Sequence, residues 1–147
     1  AKDHGKTLYD ILMDIYLEYG YSHEHTINVE RPGKSGADEI QQMMKDFRTN
    51  PPKDLGGSPI SIYKDYQSLE MTKVDGSNEK IDMPDTSNVL QWFCSDGTKV
   101  SVRPSGTEPK IKFYLEIKDK MCSASDYPAC EQRAVTKIEE IKKSLKL

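Results

Sequence analysis

The strongest constraint on the fold comes from an alternating segment near the end of the chain, KIKFYLEIK at residues 110–118. Its apolar side chains, Ile111, Phe113, Leu115 and Ile117, occupy every second position. Successive side chains of a β-strand point to opposite faces of a sheet, so this alternation predicts one buried and one solvent-exposed face. Sheets of that kind are typically antiparallel and carry helices on the buried face.

Several earlier segments also have the residue types of strands. β-Branched and aromatic residues are frequent in them, and the pair Asp96-Gly97 is typical of a tight hairpin turn. Turn-forming residues fill KDLGGSP at residues 53–59 and DGSNEK at residues 75–80. The predicted strands cover about residues 59–66 with a continuation at 68–74, residues 88–95 and residues 99–103.

Hydrophobic residues at helical spacing predict three helices. The first has capping-box spacing at Thr7 and Asp10, and a glycine, Gly20, at its end. Ser35 and Asp38 have the same spacing at the start of the second helix. The helices and about four antiparallel strands together predict an α+β fold, in which a small sheet is flanked by helices. The predicted helices cover residues 7–20, 36–49 and 129–146.

The first predicted helix has a broad apolar stripe that runs from Leu8 to Tyr19. A stripe of this width must pack on another element, and the few residues before it offer none. We therefore expect residues 1–30 to be the helical end of an upstream α/β domain with its connector. Residues 31–147 are expected to form a C-terminal domain.

Charge and composition disfavour several classes of function. The net charge is −3, which gives no electrostatic basis for binding nucleic acid or an anionic membrane surface. No apolar run approaches the roughly 20 residues of a membrane span, and no signal peptide is recognisable. The three cysteines have no CxxC spacing, which favours reduced thiols and a cytoplasmic location over a disulfide framework or a zinc site.

The connection between the last two predicted strands, RPSGTEP at residues 103–109, has an unusual set of side chains. As a plain hairpin connection it needs only the proline and the glycine. As an anion site, Gly106 would let backbone N–H groups converge, and Ser105 and Thr107 would add hydroxyl donors. Arg103 would offer a planar fork that matches phosphate oxygens in pairs. Residue types alone leave both interpretations open.

Three charged residues follow this connection or lie within it. Lys110 and Lys112 raise the local positive potential, which favours a phosphate dianion as the ligand. The carboxylate of Glu108 opposes an anion, so we expect it to turn outward or to contact a sugar hydroxyl.

Three stretches of the chain resemble the α-D-phosphohexomutases, a superfamily that includes phosphoglucomutases and phosphomannomutases. RPSGTEPKIKFYLEI resembles the phosphate-binding loop and following strand of their last domain. GKTLYDILMDIYLEYGYS resembles the helix and following segment that close their third domain, and DFRTNPP resembles the segment that leads into the fourth. The resemblance implies four domains around a cleft, the fourth with a small antiparallel sheet similar to the TATA-binding-protein fold.

The resemblance also implies a reaction. These enzymes move a phosphoryl group between the 1- and 6-positions of a hexose through a bisphosphorylated intermediate, with a phosphoserine as donor and a Mg²⁺ held by nearby aspartates. The implied partners are glucose or mannose 1- or 6-phosphate and the upstream domains of the same chain. The residues that match the loop gripping the non-transferring phosphate are Arg103, Ser105, Gly106 and Thr107, with Glu108 and Lys110 in possible supporting roles.

The nucleophilic serine loop, the aspartate-rich metal loop and the sugar-reading loop of this superfamily have no counterpart in the sequence. We therefore expect no catalytic residue and no metal ligand in this chain, and no mutase activity from it alone. The sugar remains open, so a phosphopentomutase or an amino-sugar mutase is an alternative. A stand-alone module that binds sugar phosphates is another, whereas the acidic composition disfavours a nucleic-acid module of the TATA-binding-protein type.

Overall fold

The chain is described here by a computed structural model over residues 5–33 and 35–147. It consists of three α-helices and an antiparallel sheet, which confirms the predicted α+β fold. In chain order the elements are α1 (Leu8–Tyr19), β1 (Tyr21–Glu30), α2 (Gly36–Thr49), β2 (Asp54–Leu55), β3 (Ser58–Asp65), β4 (Glu70–Lys73), β5 (Asn78–Lys80), β6 (Leu90–Cys94), β7 (Lys99–Pro104), β8 (Lys110–Asp119), a short 3₁₀ turn (Ala124–Asp126) and α3 (Tyr127–Leu145).

The sheet of the described residues has eight strands rather than the predicted four or so. Seven of them lie in the order β1-β8-β7-β6-β3-β4-β5, and β2 pairs only with β3. All the pairs are antiparallel, in agreement with the one-sided burial predicted from β8. The additional strands are β1, in a segment expected to belong to a connector, and the short β2 and β5, which lie in segments predicted to be turns.

β1 is the largest departure from the sequence prediction. It pairs with β8 along its whole length, from Tyr21 opposite Asp119 to Glu30 opposite Lys110. The proposed division of the chain at residue 30 stays a prediction, although this pairing favours a boundary nearer to Gly20.

One face of the sheet is buried under α2 and α3. The alternating residues of β8 line this face, and the neighbouring strands add Val100, Val102 and Trp92 to it. Phe47 of α2 packs its ring edge-on against Trp92 and Phe113, with centroids 5.2 and 6.1 Å apart. The opposite face carries no helix of the described residues, so it is open to solvent and to ligands.

α1 contacts this unit through Tyr16, at the edge of the predicted stripe, and through Met13 next to it. Met13 is buried, and the ring of Tyr16 stacks on Tyr127 of α3 at a centroid distance of 6.2 Å. Leu8 and Tyr19 of the predicted stripe are 79% and 76% exposed. The expectation that an upstream domain covers these residues therefore stays a prediction.

The helix ends test the capping predictions. At α1 the Asp10 N–H donates to Thr7 Oγ1 (3.1 Å) and the Thr7 N–H donates to Asp10 Oδ2 (2.8 Å), so the predicted capping box is confirmed. Gly20 ends the helix at φ 89°, as its position predicted. At α2 the prediction is wrong, because Ser35 has a helical backbone and its side chain makes no capping bond.

α3 begins at Tyr127, two residues before the predicted start. Pro128 is accommodated there because a proline in the first turn removes no intrahelical hydrogen bond. None of the helices in the described residues is both long and apolar enough to cross a membrane.

Candidate phosphate-binding site

The connection between β7 and β8 is a tight loop, residues 105–109, held at its base by backbone hydrogen bonds. The Ser105 N–H donates to the Lys110 carbonyl at 2.8 Å, and the Lys110 N–H donates to the Glu108 carbonyl at 2.7 Å. The Arg31 N–H, from the segment after β1, donates to the Pro109 carbonyl at 2.9 Å. The loop is therefore anchored on two sides. This fixes the direction of the N–H and hydroxyl donors of the loop that these three bonds do not use.

The side chain of Ser105 organises the turn from within. Its Oγ accepts long hydrogen bonds from the N–H groups of Thr107 (3.4 Å) and Glu108 (3.3 Å). A serine hydroxyl has one proton as well as two lone pairs, so Ser105 can still donate that proton to a ligand. The sequence predicted the donor role, and the structure adds the role of an internal acceptor.

Gly106 lies at the open tip of the loop. Its backbone is not in the left-handed region, and a Cβ built there would have no heavy atom within 4 Å. Its N–H makes no hydrogen bond to any described residue. The chain itself therefore does not require a glycine at this position, and the space above the backbone is available to a ligand.

Two cations lie side by side next to the loop. Arg103 of β7 is directly opposite Lys112 of β8 in the antiparallel register, and on the other side Lys112 is opposite Asn28 of β1. Neither cation forms an ion pair with a described residue. Like charges directly opposite each other destabilise a sheet, and the nearby Glu108 carboxylate acts on Lys112 without forming an ion pair with it. An anion bound between them would remove that repulsion.

Glu108 and Lys110 form an ion pair within the loop region. A hydrogen bond from Lys110, together with its charge, lowers the pKa of Glu108 below its ordinary value. The same hydrogen bond raises the pKa of Lys110. The charge of Lys112 also lowers the pKa of Glu108, so the carboxylate pairs with Lys110 and offsets the positive potential of Arg103 and Lys112 only in part.

These groups surround an open cavity of about 290 Å³. Five of the six predicted site residues line it, whereas Thr107 does not. Pro104, Lys112 and Tyr114 also line it, and these were not among the predicted site residues. Lys112 was predicted only to add positive potential, and the alternation of β8 could have found Tyr114, because positions 110, 112 and 114 share the open face with Arg103.

A metal site is not evident in the described part of the chain. No group of three or more His, Cys, Asp or Glu side chains there could hold a metal ion. His23 instead forms a hydrogen bond through Nδ1 with the Tyr21 hydroxyl at 2.9 Å. The Mg²⁺ implied by the resemblance does not fit these residues.

An antiparallel sheet with helices on one face and a cationic loop at its edge defines an α+β domain with a candidate anion site. Residues 27–121 match the family described as "Phosphoglucomutase/phosphomannomutase, C-terminal domain". This chain belongs to that family, as its resemblance predicted.

Curated relatives agree with this assignment. The phosphoglucomutase of Staphylococcus haemolyticus (strain JCSC1435) is 35% identical over 117 residues, which are 79% of this chain and 21% of that protein. The phosphoglucomutase of Staphylococcus aureus (strain MRSA252) is 36% identical over 118 residues, 80% of this chain and 21% of that protein. The chain thus spans about a fifth of the length of the relatives it matches.

Among solved structures, the chain is similar to the open form of pp63/parafusin, a phosphoglucomutase from Paramecium. The TM-score is 0.43 at 16% identity, and the match covers 97% of this chain and 25% of that one. A likeness at this level supports no argument about site or activity.

Proposed function

We propose that this chain is the C-terminal domain of a phosphoglucomutase-type enzyme and that its β7–β8 loop grips the phosphate of a phosphorylated hexose that is not being transferred. The intact enzyme would move a phosphoryl group between the 1- and 6-positions through a bisphosphorylated sugar. Glucose and mannose phosphates are the proposed substrates. The three unpaired cysteines fit a reducing, cytoplasmic setting, which forms part of the proposal.

The observation that carries this proposal is the pair of Arg103 and Lys112, which lie opposite each other and form no ion pair with a described residue. A guanidinium presents two parallel N–H groups to two phosphate oxygens, and an ammonium adds a point charge beside them. The N–H of Gly106 and the hydroxyl of Ser105 lie at the same cavity and would complete the set of donors. Each of these groups favours a dianion over a neutral ligand.

The proposed contribution to catalysis is positioning. A phosphate fixed at one end of the substrate places the other end in reach of the transferring groups, which lowers the entropic part of the barrier. The nucleophile and the Mg²⁺ ligands would come from other domains. We therefore expect this chain alone to bind phosphate esters without turning them over.

The test is the affinity of this chain for methyl phosphate, a phosphate ester without a sugar. Hydrogen bonds to charged groups contribute about 1.5–3 kcal/mol each, so loss of one arm of the fork in Arg103→Lys should weaken binding by about tenfold or more. Arg133→Lys is the matched control, because Arg133 lies on α3 and pairs with Asp119. Equal affinity of Arg103→Lys and Arg133→Lys would contradict the proposed clamp.

A further inference from the structure

Lys110 differs from the other two cations at the loop because it lies between carboxylates. Its ammonium group forms an ion pair with Glu108, and in the register of β1 on β8 it lies directly opposite Glu30. A hydrogen bond to Glu108 and the negative charges of Glu108 and Glu30 raise the pKa of Lys110. Arg103 and Lys112, by contrast, form no ion pair with a described residue. The site therefore has two cations that are available to an anion and a third that already has a partner.

The ion pair between Glu108 and Lys110 lies at the boundary of two cavities. Both residues line the cavity of about 290 Å³ at the loop, and both also line a second cavity of about 260 Å³. Glu30, Pro32 and Pro109 complete the lining of the second cavity. The ammonium group of Lys110 therefore has open space on two sides, one towards the loop donors and one towards Glu30.

Exposure to solvent makes this ion pair easy to break. The side chain of Glu108 is 59% exposed and that of Lys110 is 24% exposed. Ion pairs at the surface add little to stability, because water solvates both charges well when the pair is broken. At the same distance, an ammonium group is attracted more strongly to a doubly charged phosphate than to a singly charged carboxylate. A phosphate in the loop cavity can therefore take Lys110 from Glu108.

We propose that Lys110 exchanges partners when a phosphate ester binds at the loop: its ammonium group leaves Glu108 and donates to a phosphate oxygen, while the Glu108 carboxylate turns to solvent. Arg103 and Lys112 hold the phosphate from the start, and Glu108 competes with it for the third cation. Glu108 is thus a residue that limits how tightly the loop holds a phosphate.

This exchange rests on the proposed function, because it needs a phosphate in the β7–β8 loop. It also suits the proposed reaction. A phosphoryl group that moves between two positions of one sugar leaves first one end and then the other end of the sugar to be held. Each end would have to enter and leave the loop in turn, so the grip must be reversible. A carboxylate that reclaims Lys110 makes release of the phosphate easier.

The test is a double-mutant cycle on the affinity of this chain for methyl phosphate, measured by amide NMR titration. Glu108→Gln removes the competing charge and should tighten binding by roughly twofold to fivefold, the range expected for an exposed ion pair. Lys110→Met removes the ammonium group at similar side-chain length and should weaken binding by about tenfold. When Lys110→Met is already present, Glu108→Gln should lose most of its effect, since no ammonium group remains to be released.

Glu139→Gln is the matched control. Glu139 forms an ion pair with Lys142 at 2.7 Å, and its side chain is likewise 59% exposed. It lies on α3, which packs on the face of the sheet opposite to the side chain of Lys110. Removal of the same charge at this position should leave the affinity for methyl phosphate equal to that of the wild type. A difference between the two variants therefore reports the position of Glu108 and not the net charge of the chain.

The outcomes separate the exchange from the phosphate grip itself. Unchanged or weaker binding of methyl phosphate in Glu108→Gln would overturn the exchange and leave the grip intact. An equal gain from Glu108→Gln with and without Lys110 would also overturn it, because Glu108 would then repel the phosphate directly without competing for a cation. No shift of any loop amide of the wild type with methyl phosphate would overturn the proposed function and the exchange together.

Discussion

Gly106 provides a sharp prediction because the structure separates two reasons for a glycine. A glycine is needed either for a left-handed backbone or for close approach of another group. Gly106 has an ordinary φ, and an added Cβ would meet no heavy atom of the chain within 4 Å. Gly106→Ala should therefore fold at least as stably as the wild type, with a gain of about 0.4–1 kcal/mol from the restricted unfolded chain.

Binding should respond in the opposite direction. If a phosphate oxygen accepts the Gly106 N–H, a methyl group beside that N–H occupies space that the phosphate needs. Loss of one hydrogen bond to a charged group costs about 1.5–3 kcal/mol, which is an affinity loss of roughly 10- to 100-fold for methyl phosphate. Urea unfolding measures the stability, and amide NMR titration measures the affinity.

Gly97, in the β6–β7 turn, is the matched control. It has φ +87°, and a Cβ there would lie 3.1 Å from Cβ and Cγ of Lys118. Gly97→Ala should lose roughly 1–2 kcal/mol of stability and keep its affinity for methyl phosphate. Wild-type affinity in Gly106→Ala would refute the claim that the ligand approaches the backbone at the loop tip, and a marked loss of its stability would refute the structural reasoning.

Three further outcomes are expected. Burial alone would raise the pKa of Asp96, but hydrogen bonds from Ser58 and Thr98 and the charge of Lys137 lower it to about 2. The contribution of Asp96 to stability should therefore be present above about pH 4 and lost as the pH falls towards 2. A pH series of urea unfolding should show a smaller loss of stability in Asp96→Asn. Burial raises the pKa of Cys94 to about 11, so iodoacetamide should modify the exposed Cys122 first, as mass spectrometry of the native protein can show. This chain with glucose 1-phosphate, Mg²⁺ and a bisphosphate activator should give no mutase turnover; sustained turnover would mean that it contains a nucleophile.

The sequence predicted the parts of the fold whose signals are local. The strict alternation of β8, the apolar spacing of α2 and the Asp96-Gly97 turn each fix one element through neighbouring residues. β1 gave only a weak signal, because the polar His23–His25 segment interrupts its apolar positions. Its strand is formed by pairing with β8, about 90 residues later, and no local pattern encodes that partner.

The candidate site, like the fold, was predictable only where its signal is local in sequence. The residues of the loop stood out by type, and the structure brings most of them to one cavity. The pairing of Arg103 with Lys112 needed the register of β7 on β8, which the loop length alone does not determine. Ser35 shows the reverse case, since correct spacing for a capping box was present but the backbone conformation did not support it.

The most direct test of the phosphate grip is an amide NMR titration of this chain with glucose 1-phosphate, with uncharged glucose as the control. We expect the amides of Ser105, Gly106 and Thr107 to shift in a saturable way with glucose 1-phosphate and to remain unchanged with glucose. Unchanged loop amides at saturating glucose 1-phosphate, or equal shifts with glucose, would contradict the assignment of the loop as a phosphate site.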